Sequence, residues 1–142
     1  MIFYQLLHLY DNGDDAKDIG YYSSLQKAKE TIEALREKPG FRDYPNGFFI
    51  VERKSDSVRT ERPFYEAMIY YHSPYYETEC STSLGYFDCE DKAAKVIKTF
   101  VDQNPNTVPG FQLETIINKC ILDRVDWSEG FVSEKCGEPE GK

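Results

Sequence analysis

The feature that most narrows what this chain can become is that it reads as one plan written twice. Residues 2–10 form an aromatic and branched run without Pro or Gly, the composition of a strand. Residues 11–15, Asp-Asn-Gly-Asp-Asp, carry the chemistry of a tight turn, and residues 17–22 return as the second arm of a hairpin. Ser23 then offers a helix cap with Gln26 three residues on. Leu25, Ala28, Ile32 and Leu35 recur at helical spacing, and Pro39-Gly40 marks the stop. Pro45-Asn46-Gly47 turns the chain into a third strand at residues 48–51.

The second half repeats this order. Residues 64–71 echo residues 3–10, Leu84-Gly85-Tyr86-Phe87 echoes Ile19-Gly20-Tyr21-Tyr22, and Lys92-Ala93 echoes Lys27-Ala28. Ile97 and Phe100 stand where Ile32 and Leu35 stand, and Asp88, with Asp91 after it, replaces Ser23 as the expected cap. Gly110-Phe111 answers Gly47-Phe48, and residues 111–122 read as a strand longer than its counterpart. The expectation is an α+β fold: a duplicated strand-strand-helix-strand unit, mainly antiparallel, with two amphipathic helices. The whole of residues 1–142 is read as a single domain of two repeats, about 1–57 and 64–131. A polar connection lies near 54–63, and a flexible tail is expected at 134–142. The repeats are expected to share one core, their strands pairing across a pseudo-twofold.

Residues 17–24, Lys-Asp-Ile-Gly-Tyr-Tyr-Ser-Ser, followed by the helix and by Pro39-Gly40-Phe41-Arg42-Asp43-Tyr44-Pro45-Asn46-Gly47-Phe48, resemble a small bacterial domain family of unknown function. The segment from Asp123 through Trp127, Glu129 and Gly130 to Phe131 is similar to the way members of that family end. The likeness covers residues 1–53 and 115–131, and residues 58–108 depart from it like an inserted second copy. It implies a fold and brings no activity with it. In type alone, the chain is similar to immunity proteins of bacterial polymorphic or contact-dependent inhibition toxins, which are small, acidic, cytoplasmic and non-catalytic.

Composition agrees with that type. The chain has 25 Asp+Glu against 17 Lys+Arg, a formal charge of −8, which argues against nucleic acid as partner because phosphate contacts need basic excess. No run approaches the roughly 20 apolar residues of a membrane span, and the first residues lack a basic region and cleavage site, so a cytoplasmic protein without membrane contact is expected. Cys80, Cys89, Cys120 and Cys136 form no C-x-x-C pair and are expected to be reduced thiols.

No phosphate loop, His-Glu-x-x-His or nucleophile elbow appears, and His8 and His72 do not occupy equivalent positions. The chain is therefore expected to be no enzyme, with no catalytic residues, no cofactor and no metal. Asp11, Asp14 and Asp15 suggest a calcium loop only superficially, because the spacing that ends in Glu is absent. Residues 64–142 hold 14 acids and 7 bases, and residues 1–63 hold 11 and 10; a charge gathered on one half can steer a basic partner. The expected partner-binding residues are Tyr75, Tyr76, Glu77 and Glu79 in the second-copy hairpin loop, with Asp126, Trp127 and Glu129 near the end. Asp11, Asp14 and Asp15 are second choice. Tyr and Trp supply anchors at low entropy cost, and the carboxylates would pair with Lys or Arg. The expected function is protein binding by a chain that is monomeric on its own: an immunity protein blocking a basic toxin domain such as a nuclease. The alternatives are a small enzyme or ligand-binding protein using a cavity between the repeats, with His8 or His72 as polar anchor, and an interaction module whose duplication replaces a homodimer.

Overall fold

The computed structural model describes residues 1–9, 16–73, 78–103 and 112–126. In order the elements are β1 (Ile2–Leu9), β2 (Ala16–Tyr22), α1 (Leu25–Leu35), β3 (Phe48–Lys54), β4 (Phe64–Ser73), β5 (Thr78–Phe87), α2 (Glu90–Gln103) and β6 (Gln112–Cys120). The strands form two antiparallel sheets, β2-β1-β3 and β5-β4-β6. This is the duplicated α+β unit expected from the sequence, each copy a three-stranded sheet with one helix. Among the described residues the expected pairing of strands across the copies is not found: each sheet is built from the strands of its own copy.

The register shows how closely the copies agree. Tyr4 lies opposite Tyr22 and Leu6 opposite Gly20, and the ladder then slips so that Leu7 meets Asp18. In the second sheet Tyr65 lies opposite Phe87, Ala67 opposite Gly85, and the same slip brings Met68 to Ser83. One extra residue on the returning strand, Ile19 or Leu84, makes the bulge in each case. The third strands are offset further. Gly47 O accepts the Leu9 amide at 2.8 Å, whereas Tyr70, the counterpart of Leu9, lies opposite Glu114. Gly47 therefore corresponds to Glu114, and the matching of Gly47-Phe48 to Gly110-Phe111 does not hold in the pairing.

Each helix lies on one face of its sheet. Leu6, Ile19, Tyr22, Ala28, Leu35 and Phe41 form the first core, with Tyr4, Ile32, Phe48 and Ile50 against it. Ala67, Ala93 and Ile97 form the second, with Tyr65, Leu84, Phe87, Val101 and Ile117. Both helices begin one residue later than the expected caps. Ser24, not Ser23, accepts the Lys27 amide, and the Ala93 amide reaches Cys89 O, not Asp88. Leu25 consequently occupies the first helical position and is 41% exposed, so it is no part of the apolar face.

The chain divides into two compact units that do not follow its linear halves. One comprises Ile2–Arg53 and Asp123–Lys142, the other Met1 and Lys54–Leu122. The segment after β3 thus belongs with the second sheet, and the segment after β6 with the first. In the first unit, Asp123 N donates to Tyr21 O and Asp126 N to Ile19 O, both at 2.7 Å, so residues 123–126 run along the outer edge of β2. A side chain at Gly20 would collide with Arg124 O, and the bare glycine permits this approach. In the second unit, Ser55 Oγ donates to Tyr86 O, 2.8 Å, and the Met1 ammonium to Ser55 O.

Candidate protein-binding surface

The pleat of β4 sends alternate side chains to opposite faces. Tyr65 and Ala67 pack with α2, and Phe64, Glu66, Met68 and Tyr70 point the other way. The near end of that second face is closed: Phe64, Glu66, Tyr86 and Cys120 are all buried. Among the described residues its far end is open. Met68 and Tyr70 are half-buried, and Ile116, directly opposite Met68, is 38% exposed. Exposed Glu114 faces Tyr70 on one side, and exposed Ser81 and Ser83 flank the pair on the other. The result is an apolar patch with a polar rim, the anatomy of an interface core.

The same strands run on to the loop favoured by the sequence. Pairing continues through His72–Glu79 to Ser73–Thr78. The second hairpin therefore has two ten-residue arms against eight and seven in the first. Glu79 sits in β5 opposite His72; Tyr75, Tyr76 and Glu77 lie outside the described residues, as do Trp127, Glu129, Asp11, Asp14 and Asp15. The expected tail at 134–142 and Cys136 lie outside them too. Met68 and Ile116 were missed in the sequence because an apolar strand residue carries no local mark of which end of its sheet stays uncovered.

Asp126 is described, and part of its charge is engaged: Oδ1 accepts Arg124 Nε at 2.7 Å. Asp123, which opens the segment matched to the family ending but is not among the expected partner-binding residues, makes more bonds. Its carboxylate accepts Ser23 N and Ser23 Oγ, both at 2.8 Å, and Lys27 Nζ at 3.2 Å. It does so from a left-handed backbone, φ 64°. Burial works to raise its carboxyl, but the Ser23 amide and hydroxyl and the Lys27 ammonium outweigh that and hold it below the ordinary carboxylate range. Here the second copy is self-sufficient. Asp88, at the Ser23 position, pairs directly with Lys92 at 2.9 Å, and their hydrogen bond lowers the Asp88 carboxyl and raises the Lys92 ammonium.

The remaining polar groups are built into the fold. Across the first sheet, Gln5 donates to Asp18 at 3.0 Å and accepts from Arg53 Nη2 at 2.7 Å. His8 is fully buried, donates Nε2–H to Tyr44 O at 2.8 Å, and meets Phe41 and Phe48 edge-on. That is the packing of a core histidine. His72 is placed only by its backbone register. Two hollows open in the first unit, one of about 360 Å³ beside Leu9 and residues 43–49, the other of about 410 Å³ between α1 and Asp123 and Val125. Beneath the second lies Tyr22, whose buried hydroxyl, near Thr31, meets no partner at hydrogen-bond geometry among the described residues. Burial raises its pKa, Thr31 opposes that, and Asp126, Asp123 and Asp18 add to it. Thr31 gives its own proton to Lys27 O, 2.9 Å.

Cys89 and Cys120 are thiols outside any disulfide. Among the described residues no group of three or more His, Cys, Asp or Glu could hold a metal ion, and no helix is long and apolar enough to cross a membrane. The charge asymmetry takes a different form in the units. Six of the 14 acids of residues 64–142 and three of its 7 bases fall within residues 123–142, and residues 123–126 are bonded to the first unit. Counted by unit the balance reverses: Ile2–Arg53 with Asp123–Lys142 holds 15 acids and 10 bases, and Met1 with Lys54–Leu122 holds 10 acids and 7 bases. The chain matches no family model, no curated protein and no solved structure.

Proposed function

We propose that this chain is a non-catalytic protein-binding domain, an immunity protein that binds and blocks a basic toxin domain such as a nuclease. The observation that carries the reading is the open patch of Met68, Tyr70 and Ile116, with Glu114 beside it, at the root of the hairpin that bears Tyr75, Tyr76, Glu77 and Glu79. Apolar side chains left open on one end of an otherwise covered sheet face, in a hairpin whose sequence carries tyrosines and carboxylates, suit a partner with a basic, partly apolar cleft. Blocking would work by occlusion. Carboxylates engage Lys or Arg that would otherwise hold phosphate, while the aromatic residues exclude water from the contact.

The net charge of −8 speaks for steering of such a partner, an effect screened over about 8 Å at physiological ionic strength. The test is a binding titration against the protein encoded next to this chain's gene, at low and high salt. Tight association that slows with salt and with Glu77→Lys/Glu79→Lys is expected. Absence of binding at micromolar protein would overturn the reading.

A further inference from the structure

We infer that the outer edge of β5, residues 78–83, is where an extended basic segment of the protein partner adds as a further strand. The inference rests on the protein-binding reading above and names the mode of contact. Four strands lie at sheet edges: β2, β3, β5 and β6. An edge presents a row of backbone donors and acceptors, and proteins guard such rows with charges, above all Lys. Three of the four are guarded in this way: β2 by Lys17 and Asp18, β3 by Glu52, Arg53 and Lys54, β6 by Glu114 and Lys119. β5, Thr-Glu-Cys-Ser-Thr-Ser-Leu-Gly-Tyr-Phe, has no Lys, Arg or Pro, and its single charge is Glu79.

The edge is also open. Residues 81–83 are exposed, and among the described residues no backbone hydrogen bond reaches the outer side of this stretch. Only Tyr86 O, past the bulge, is taken, by the Ser55 hydroxyl. The other copy shows what this kind of edge accepts. At β2 the carbonyls of Ile19 and Tyr21 receive the amides of Asp126 and Asp123, so a backbone segment is already bonded to that edge. The counterparts of Ile19 and Tyr21 are Leu84 and Tyr86, and from Leu84 the longer strand continues outward for six more residues.

Charge chooses the occupant. A second copy would bring together two chains of net −8 each, which like-charge repulsion opposes. A strand bearing Lys or Arg meets the opposite sign in this chain, Glu79 being the one charged residue of β5, with main-chain bonds supplying affinity.

The experiment uses the full chain and the protein encoded by the adjacent gene. Successive amides of a strand point to opposite sides, so of Ser81→Pro and Thr82→Pro one removes an outward donor and the other breaks the β4 ladder. The variant that keeps the parent's circular dichroism and melting temperature should bind about 100-fold more weakly, the loss of one ladder bond plus the clash of the ring. In the parent complex, alternate amides among residues 81–83 should exchange more slowly with deuterium than in the free chain. Binding with unchanged exchange at these amides and with a parent-like affinity of the folded proline variant would overturn the edge assignment and leave protein binding standing. Dimers of the chain alone, with those amides protected, would overturn it in favour of self-pairing. No binding of the adjacent product would remove both readings.

Discussion

Replacing Asp123 probes whether the segment after β6 is held to the first unit by the bonds described. The side chain accepts two hydrogen bonds from Ser23 and one from Lys27. Bonds to a charged group are worth about 1.5–3 kcal/mol when buried. With the carboxylate 23% exposed, water recovers part of that, leaving about 1 kcal/mol for each Ser23 bond. The Lys27 pair, with the lysine 53% exposed, adds at most about 0.5 kcal/mol. Alanine also fits poorly at φ 64°, a further cost of about 1 kcal/mol. Asp123→Ala should therefore destabilise by about 3 kcal/mol, bounded above by truncation after Leu122, which removes the whole segment. Asn tolerates the left-handed backbone and keeps one acceptor oxygen, so Asp123→Asn should cost about 1 kcal/mol. The two differ in pH dependence from the parent in a defined direction. A carboxyl whose folded pKa lies below its unfolded value stabilises fully above the unfolded value, about 4, and loses that contribution as pH falls through the folded value. Urea midpoints of parent and Asp123→Asn should keep a constant gap from pH 7 to about 5, and the gap should close toward pH 3. A parent-like midpoint for Asp123→Ala at pH 7, or a gap indifferent to pH, would refute the bonding as described.

Other expectations follow from the same geometry. Gly20→Ala should loosen the segment after β6, because the new Cβ meets Arg124 O; faster deuterium exchange at Asp123 and Asp126 amides would show it. Gly85→Ala forces alanine to φ 126°, and thermal melting should fall by an amount equivalent to at least about 1–2 kcal/mol. Ile97→Ala should cost about 2–5 kcal/mol through the cavity it leaves beside Ala67 and Ala93, measured by urea unfolding. Tyr22→Phe removes a buried hydroxyl that meets no partner at hydrogen-bond geometry among the described residues, so stability should hold or rise by up to about 1 kcal/mol, and a clear loss would mean the hydroxyl is bonded in solution.

Much of this fold was legible in the sequence because its signals are local. Branched and aromatic runs, the Leu25-to-Leu35 spacing and the Gly-aromatic pairs each follow from chemistry within a few residues. The one-residue error in both helix starts shows the limit. Ser23 and Ser24 are both fit to cap, and the choice is settled by Asp123, one hundred residues away, which engages Ser23 and leaves the cap to Ser24. The exchange of the segments after β3 and β6 is equally invisible, since a polar linker reads alike whichever sheet it joins. Charge misled for the same reason. The acidic excess of residues 64–142 was counted along the chain, and residues 123–126 fold back onto the first unit.

The two copies serve as controls for each other, and their differences are what favour one of them for the proposed binding surface. Leu7 and Leu9 occupy the positions of Met68 and Tyr70, and Phe49, 39% exposed, that of Ile116. Both sheets thus leave the same end of the same face uncovered, a consequence of the shared architecture that by itself selects neither. What separates them is the strand beside the patch. In the first copy Lys17 and Asp18 stand opposite His8 and Leu7, with Asp18 tied through Gln5 to Arg53. In the second, Thr82 and Ser83 hold those places opposite Ile69 and Met68, the guarding charges are gone, and the hairpin is longer. On the proposal made above, a patch common to both units serves binding where its neighbouring edge is left able to pair, and that combination occurs at β5.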